Sequence, residues 1–178
     1  MRIIAGYLKS RRIKTLKGDQ TRPTSDRVKE AVFNKIGPYF EKGNLLDVFS
    51  GSGAIAFEGL SRGIERADLI EKSRKAAAII KDNIQNLDLS SQATLHIGDA
   101  KAILMTLKIK YDIIFMDPPY KYQNYFDLID IAGKLLRNQE SIMILETDRR
   151  ALFDIPDYLE CVDSRDYGES KIYFIRMR

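Results

Sequence analysis

Cysteine and histidine each occur once in this 178-residue chain, at Cys161 and His96. One cysteine excludes an internal disulfide and any cysteine-based metal cluster. Its alternating apolar surroundings predict a small core residue. The lone histidine lies inside a predicted strand and reads as structural, not as a base. No run approaches the ~18 apolar residues of a membrane span. The amino terminus, Met1-Arg2-Ile3-Ile4-Ala5-Gly6, lacks the apolar centre of an export signal, so a cytoplasmic protein is expected. Repeats and low-complexity tracts are missing as well. What remains is an ordinary globular composition, 44% apolar and 30% charged, of a length that fits one domain. Such a chain buries roughly 70% of its unfolded surface.

Acids are nearly missing from the first 22 positions. Arg2, Lys9, Arg11, Arg12, Lys14, Lys17 and Arg22 face only Asp19, a net +6 that leaves −2 for the rest of a +4 chain. Such a run can simply solubilise a terminus. Here Arg11-Arg12-Ile13-Lys14-Thr15-Leu16-Lys17 alternates basic with apolar residues, as a strand with one charged face would. A basic arm on a slightly acidic body is the footprint of a polyanion binder. Arg2, Lys9, Arg11, Arg12, Lys14 and Lys17 are the candidate nucleic-acid contacts.

Arg2 to Lys17 predicts a short β-hairpin around Gly6, and a loop follows from Gly18 to Pro23. Thr24-Ser25-Asp26 supplies N-cap candidates for a helix whose apolar positions, from Val28 to Ile36, end at Gly37-Pro38. Strands and helices then alternate. Strands are predicted at Leu45 to Phe49, Ala67 to Ile70, Ala93 to Ile97, Ile113 to Met116 and Ser141 to Glu146. Helices are predicted at Ala54 to Arg62, Arg74 to Leu87, Ala100 to Leu107 and about Tyr125 to Leu136. This spacing indicates βαβ crossovers and a parallel sheet covered on both faces. Leu159 to Asp163 and Lys171 to Met177 lack an intervening helix and predict an antiparallel hairpin on the sheet edge. The expectation is one α/β domain, doubly wound, with seven mostly parallel strands. Residues 1–22 form its arm, 23–43 its leading helix and 44–178 its core.

In such a sheet ligands sit beyond the carboxyl ends of the strands. The first strand ends in Asp47-Val48-Phe49-Ser50-Gly51-Ser52-Gly53-Ala54. Gly51 and Gly53 allow a tight turn and a ligand's close approach to bare backbone. The third glycine of a dinucleotide fingerprint is missing, as is the Lys-Ser/Thr of a P-loop, so no phosphate-binding case exists. The second strand ends at Glu71, an acid able to accept both ribose hydroxyls or simply to favour a helix N-terminus. Gly98-Asp99-Ala100 follows the third strand, where Asp99 caps a helix or accepts from an adenine amine. The fourth strand ends in Asp117-Pro118-Pro119-Tyr120: an acid, two prolines that stiffen the turn, and an aromatic ring. That set can grip a planar nitrogen heterocycle by its exocyclic amine. Each feature has a bland account, but four on one rim point to a nucleoside-binding site.

Leu45 to Gly53, Glu71, Gly98-Asp99-Ala100 and Asp117-Pro118-Pro119-Tyr120 resemble the four motifs of class I S-adenosylmethionine-dependent methyltransferases, whose core is Rossmann-like. Along its whole length the chain resembles more closely the bacterial 16S ribosomal RNA guanine-N2 methyltransferases of the RsmD family. Met1 to Gly6 and the block Arg22-Pro23-Thr24-Ser25-Asp26-Arg27-Val28-Lys29-Glu30-Ala31-Val32-Phe33-Asn34 carry that likeness. Ser25 stands where many relatives have Thr, which preserves a hydroxyl cap. The resemblance implies S-adenosylmethionine as cofactor. It assigns Ser50, Gly51 and Gly53 to the turn around the methionine portion, with Asp47 ordering the loop or meeting the amino group. Glu71 takes the ribose, and Asp99 with Ala100 the adenine. Arg22 or Thr24 helps hold the methionine end, although Arg22 equally suits RNA phosphates. The implied substrate is guanine 966 of 16S ribosomal RNA, in an assembling or assembled 30S particle, and a monomer is expected.

Guanine's exocyclic amine is a poor nucleophile because its lone pair is delocalised into the ring. The Asp117 carboxylate and the Pro118 carbonyl can each accept one N–H, which pins the nitrogen and stabilises the charge that develops. Tyr120 can stack on the base, a contact worth ~1–3 kcal/mol. No metal is called for. Adenine-N6 methylation uses the same logic, but those enzymes usually carry a further recognition domain. Glutamine methylation usually begins the turn with Asn. A cofactor-binding RNA chaperone without turnover would have no use for the acid-Pro-Pro-aromatic turn.

Overall fold

The computed structural model describes residues 1–16, 26–119 and 122–178, without the side chain of Arg27. Lys17, Arg22, Thr24, Tyr120 and the Gly18–Pro23 loop therefore lie outside the described residues. The elements are α1 (Asp26–Ile36), β1 (Asn44–Val48), α2 (Ala54–Ser61), β2 (Arg66–Glu71), α3 (Arg74–Asn86), β3 (Ala93–Ile97), α4 (Ala100–Leu104), β4 (Ile113–Met116), α5 (Tyr125–Gly133), β5 (Ile142–Asp148), β6 (Leu159–Tyr167) and β7 (Ser170–Met177). Among the described residues no helix is long and apolar enough to cross a membrane.

The seven strands run in the order β3-β2-β1-β4-β5-β7-β6. β1 to β5 are parallel, and β7 lies antiparallel between β5 and β6. This is the Rossmann-like sheet with a carboxyl-terminal hairpin that the βαβ spacing predicts. β4 is apolar at every position, and β1, β2 and β5 are mostly apolar along their middles, because both faces are covered. Leu45, Leu69, Ile113, Phe115 and Ile144 pack with α1, α2 and α3. Their neighbours Leu46, Ile70, Ile114, Met116 and Leu145 pack with α4 and α5. The edge strand β6 is charged and bulged between Cys161 and Asp163, which discourages further pairing. Cys161 is consequently exposed, not the core residue its alternating neighbours suggest. His96 lies within β3, where Asp68 Oδ1 stands 2.6 Å from its Nε2 and the other Asp68 oxygen accepts from the fully buried Tyr111 hydroxyl.

At the amino terminus the predicted hairpin is short: Arg2 and Arg12 form one antiparallel bridge, flanked by the Ile3 amide donating to the Arg11 carbonyl and the Ile13 amide to the Met1 carbonyl, both at 3.0 Å, and Lys14 to Leu16 carries the ladder no farther. Side-chain anchors supplement this short ladder. Glu58 on α2 is wholly buried and accepts from the Ile4 and Ala5 amides at 2.8 and 3.0 Å. It also meets Arg62 at 2.8 Å and the fully buried Lys29 of α1 at 3.4 Å. Ser61 donates to the Ala5 carbonyl and accepts from the Leu8 amide. Gly6, at φ 83°, passes so close to α2 that a Cβ would stand 1.7 Å from the Ser61 carbonyl oxygen. Only glycine fits there.

Candidate active site

β1 and β4 are neighbours although β2 and β3 intervene in the chain, so the winding direction reverses between them. A crevice opens at the carboxyl ends of strands at such a point. The β1 turn enters it through unusual backbone. Phe49 has φ 66°, a left-handed conformation that costs a side chain of this kind about 1–3 kcal/mol. Gly51 and Gly53 follow at φ 57° and 80°. A Cβ on Gly53 would press to 2.6 Å from the Phe57 ring, whereas one on Gly51 would meet nothing within 4 Å. Gly53 is thus a packing requirement, while Gly51 leaves bare backbone facing open space.

Ser50, Glu71 and Asp47 help hold this turn. The Ser50 hydroxyl donates to the Asp47 carbonyl at 2.6 Å, so it shapes the loop instead of pointing outward. Glu71 accepts from the Gly51 amide at 2.9 Å and from the Ser73 amide at 2.6 Å, tying the β1 turn to the end of β2. Asp47, 2% exposed, accepts from the Ala56 amide in the first turn of α2. Of the two roles open to Asp47, ordering the loop is the one its contacts display. Burial pushes its carboxyl up to about 7, with the Ala56 hydrogen bond opposing and Glu71 adding to the rise. Asp99 caps α4 through the Ala102 amide, lies 3.5 Å from Lys72 and is largely exposed, while Ala100 is buried beneath it.

Asp117 follows β4 directly. Pro118 is buried and Pro119 exposed, and the Tyr122 amide closes the turn by donating to the Pro119 carbonyl at 2.8 Å. Burial pushes the Asp117 carboxyl up to about 8, followed by repulsion from Glu146 and then from Asp47. Register explains the grouping. Asp47 pairs with Phe115, and Phe115 with Ile144, so these three share one face. Two residues on, Asp117 and Glu146 return to it. Glu146 is buried at the end of β5, and sequence reading missed it because its nearness to Asp117 depends on strand order. Its available signal was an acid directly after the apolar run Ile142-Met143-Ile144-Leu145.

A row of rings, also missed, borders this rim. Phe49 meets Tyr122 at 5.9 Å, Tyr122 meets Tyr125 at 5.6 Å, Tyr125 meets Phe153 at 5.2 Å and Phe153 meets Tyr173 at 5.0 Å. They come from the segments after β1, β4 and β5 and from β7 itself, so no local pattern marks them as a group. The Tyr125 hydroxyl is raised by burial and then by the charge of Asp117.

The structure thus brings Asp47, Gly51, Glu71 and Asp117 together, with Asp99 and Ala100 one strand farther out. The basic arm lies beside them along α3. Arg2, Lys9, Arg11, Arg12 and Lys14 are exposed; Arg11 donates to the Asn86 carbonyl and Lys14 pairs with Asp82 at 3.0 Å. Buried Asn83 joins arm to turn, accepting from the Lys14 amide and donating to the carbonyls of Lys14 and Ser52.

Mutually repelling carboxyls around an open strip of backbone favour a cation, because a positive charge relieves each of them. A sulfonium nucleoside fits that environment. Known proteins agree. The family model described as Conserved hypothetical protein 95 matches residues 1–176. Ribosomal RNA small subunit methyltransferase D of Escherichia coli is 36% identical over 151 residues, covering 83% of this chain and 75% of that protein. The solved structure of yhhF from Escherichia coli superimposes with a TM-score of 0.87 at 26% identity, over 100% of this chain and 98% of the other. SMU.776, solved in complex with SAH, shares the fold at a TM-score of 0.68 and 15% identity, over 84% of this chain and 49% of the other. The chain belongs to the Conserved hypothetical protein 95 family, the RsmD family of methyltransferases that use S-adenosylmethionine.

Proposed function

We propose that this protein methylates ribosomal RNA, and specifically the exocyclic N2 amine of guanine 966 in 16S ribosomal RNA of an assembling or assembled small subunit, as a cytoplasmic monomer. Relatives named ribosomal RNA small subunit methyltransferase D support the RNA class. The observation that carries the chemistry is the Asp117 carboxyl, raised by burial at the switch point and followed by a stiff Pro-Pro turn.

Gly51 and its turn would take the methionine portion, with Asp47 ordering that turn, Glu71 the ribose, and Asp99 with Ala100 the adenine edge. When bound, S-adenosylmethionine supplies an electrophilic methyl group on sulfur. Asp117 and the Pro118 carbonyl accept the two N–H bonds of the amine and aim its lone pair. As the N–C bond forms and the S–C bond breaks, the nitrogen becomes acidic and Asp117 takes the departing proton. A carboxyl that titrates near 8 is a better acceptor at physiological pH than an ordinary one. Alignment supplies most of the acceleration, from a reserve of about 7–11 kcal/mol. Tyr120 would stack on the base.

Asp117 accepts only when ionised, so kcat/KM for the RNA rises with pH through about 8, the value for the free enzyme. A profile that is flat or falls between about pH 6.5 and 8.5 would exclude Asp117 as the acceptor. Exposed Arg12 and Lys9 would meet phosphates. Arg12→Glu therefore weakens RNA association and lowers the slope of log K against log salt by about 1–2. Arg11 is the poorer probe because it also fastens the arm to α3. An unchanged slope removes the arm from the interface. The substrate itself is tested by mapping modified nucleosides of small-subunit RNA in a strain lacking the protein. Loss of one N2-methylguanosine supports the proposal, and loss of an N6-methyladenosine overturns it.

A further inference from the structure

Leu152 is 96% exposed, the most exposed of the large apolar side chains among the described residues. It stands in the loop leaving β5 at Asp148, and β5 is the neighbour of β4 on the side away from β1. The loop is braced from behind. The Arg149 amide donates to the Glu169 carbonyl at 2.8 Å, and the Ala151 amide to the Asp148 carbonyl at 3.0 Å. Asp148 Oδ1 accepts from the Arg150 amide at 2.8 Å. Phe153, the next residue, is locked between the rings of Tyr125 and Tyr173. Tyr125 in turn feels the charge of Asp117. A braced loop cannot fold its leucine back onto the core, so the side chain is held out in water next to Phe153, which the rings of Tyr125 and Tyr122 link to the turn at Pro119. That exposure is relieved only when another molecule covers it.

We propose that Leu152 is a wedge that enters the RNA base stack next to the nucleotide presented to Asp117, filling the gap that the withdrawn guanine leaves. The inference rests on the RNA-methylating function proposed above. Apolar side chains inserted between bases are a common way to hold a stack open. The half-buried rings of Phe153 and Tyr173 continue the surface on which neighbouring bases can lie, and Lys171 sits 5.2 Å from the Tyr173 ring centre. Arg149 and Arg150 precede the leucine, but Arg149 lies 3.3 Å from Asp166 and the Arg150 amide is taken up by Asp148. The loop is therefore no general phosphate trap. Its apolar tip makes the contact.

The test compares wild type with Leu152→Ala, Leu152→Asp and Leu152→Met, on a protein-free small-subunit RNA fragment and on the assembled particle. Leu152→Ala and Leu152→Asp should lower kcat/KM by about 10-fold or more on both substrates, the scale of one leucine side chain left unburied. Leu152→Met should stay within about 3-fold of wild type, since apolar bulk is retained. S-adenosylmethionine binding and melting temperature should not move in any variant. Activity unaffected by the alanine and aspartate changes would overturn the wedge. A loss confined to the protein-containing particle would do the same, marking a protein contact instead. Wild type that transfers no methyl group to either substrate would overturn the proposed function first, and the wedge with it.

Discussion

Replacing Asp117 with alanine lowers methyl transfer by about 100-fold to 1,000-fold, the usual consequence of deleting one preorganised partner of a developing charge. S-adenosylmethionine binding stays within a few-fold of wild type. The contacts that shape the β1 turn come from Ser50, Asp47 and Glu71, and none of them passes through Asp117. Asp117→Asn keeps the shape but can only donate or accept weakly, so it also loses most activity. The two variants differ in stability. Asp117 titrates near 8 in the folded chain against 3.8 as its ordinary value. Between those values the folded state holds a proton that the unfolded state has released, so wild type loses stability as pH rises through this window. The asparagine variant has no such titration. Its melting temperature should match wild type below about pH 4 and exceed it by several degrees at pH 9, on a scale of about 2–4 °C per kcal/mol. Equal melting temperatures at pH 9 would mean that the Asp117 carboxyl is not under the strain assigned to it. Unimpaired turnover by Asp117→Ala would end the mechanism.

Glu58→Ala should be the most damaging single change to stability. It removes the acceptor of two amides in the amino-terminal segment and the partner of both Arg62 and Lys29. Lys29 is wholly buried, and a buried cation stripped of an acid typically costs about 3–5 kcal/mol. The remaining partners, the Arg2 carbonyl at 2.8 Å and Asp26 at 3.5 Å, do not replace that charge, since Asp26 is about half exposed. A fall in melting temperature of about 10 °C is expected. Hydrogen exchange at the Ile4 and Ala5 amides should accelerate beyond what that global loss explains, because both lose their acceptor. RNA affinity should drop as the arm leaves α2 and α3. A variant that melts within about 2 °C of wild type would show that the buried network carries little of the stability.

The parallel core was legible in sequence because its strands are apolar on both faces and bounded by glycine, proline or an acid. Ile113-Ile114-Phe115-Met116 before Asp117-Pro118 is the plainest case, and β4 spans those four residues. The candidates Asp47, Gly51, Glu71 and Asp117 stand out the same way, each at or just past a strand end. What escaped depends on partners far along the chain. Glu58 lies in an eight-residue helix buried at every position, and its partners Ile4 and Ala5 are more than 50 residues away. Glu146 acquires its role only once β5 is known to lie against β4. The arm's alternation suggested a ladder, and a short one forms around Arg2 and Arg12, but nothing local reveals that Gly6 and Ser61 fasten the turn onto α2. Cys161 was misread because a period-2 pattern does not reveal that its strand lies on an edge and bulges.

The central claim is that the carboxyl at the tip of β4 directs a guanine amine toward the methyl donor. Purified protein incubated with methyl-labelled S-adenosylmethionine and unmodified small-subunit particles, followed by digestion to nucleosides, tests it most directly. Label in N2-methylguanosine with wild type, and almost none with Asp117→Ala, is the predicted result. Label in N6-methyladenosine, or equal label with both proteins, would contradict it.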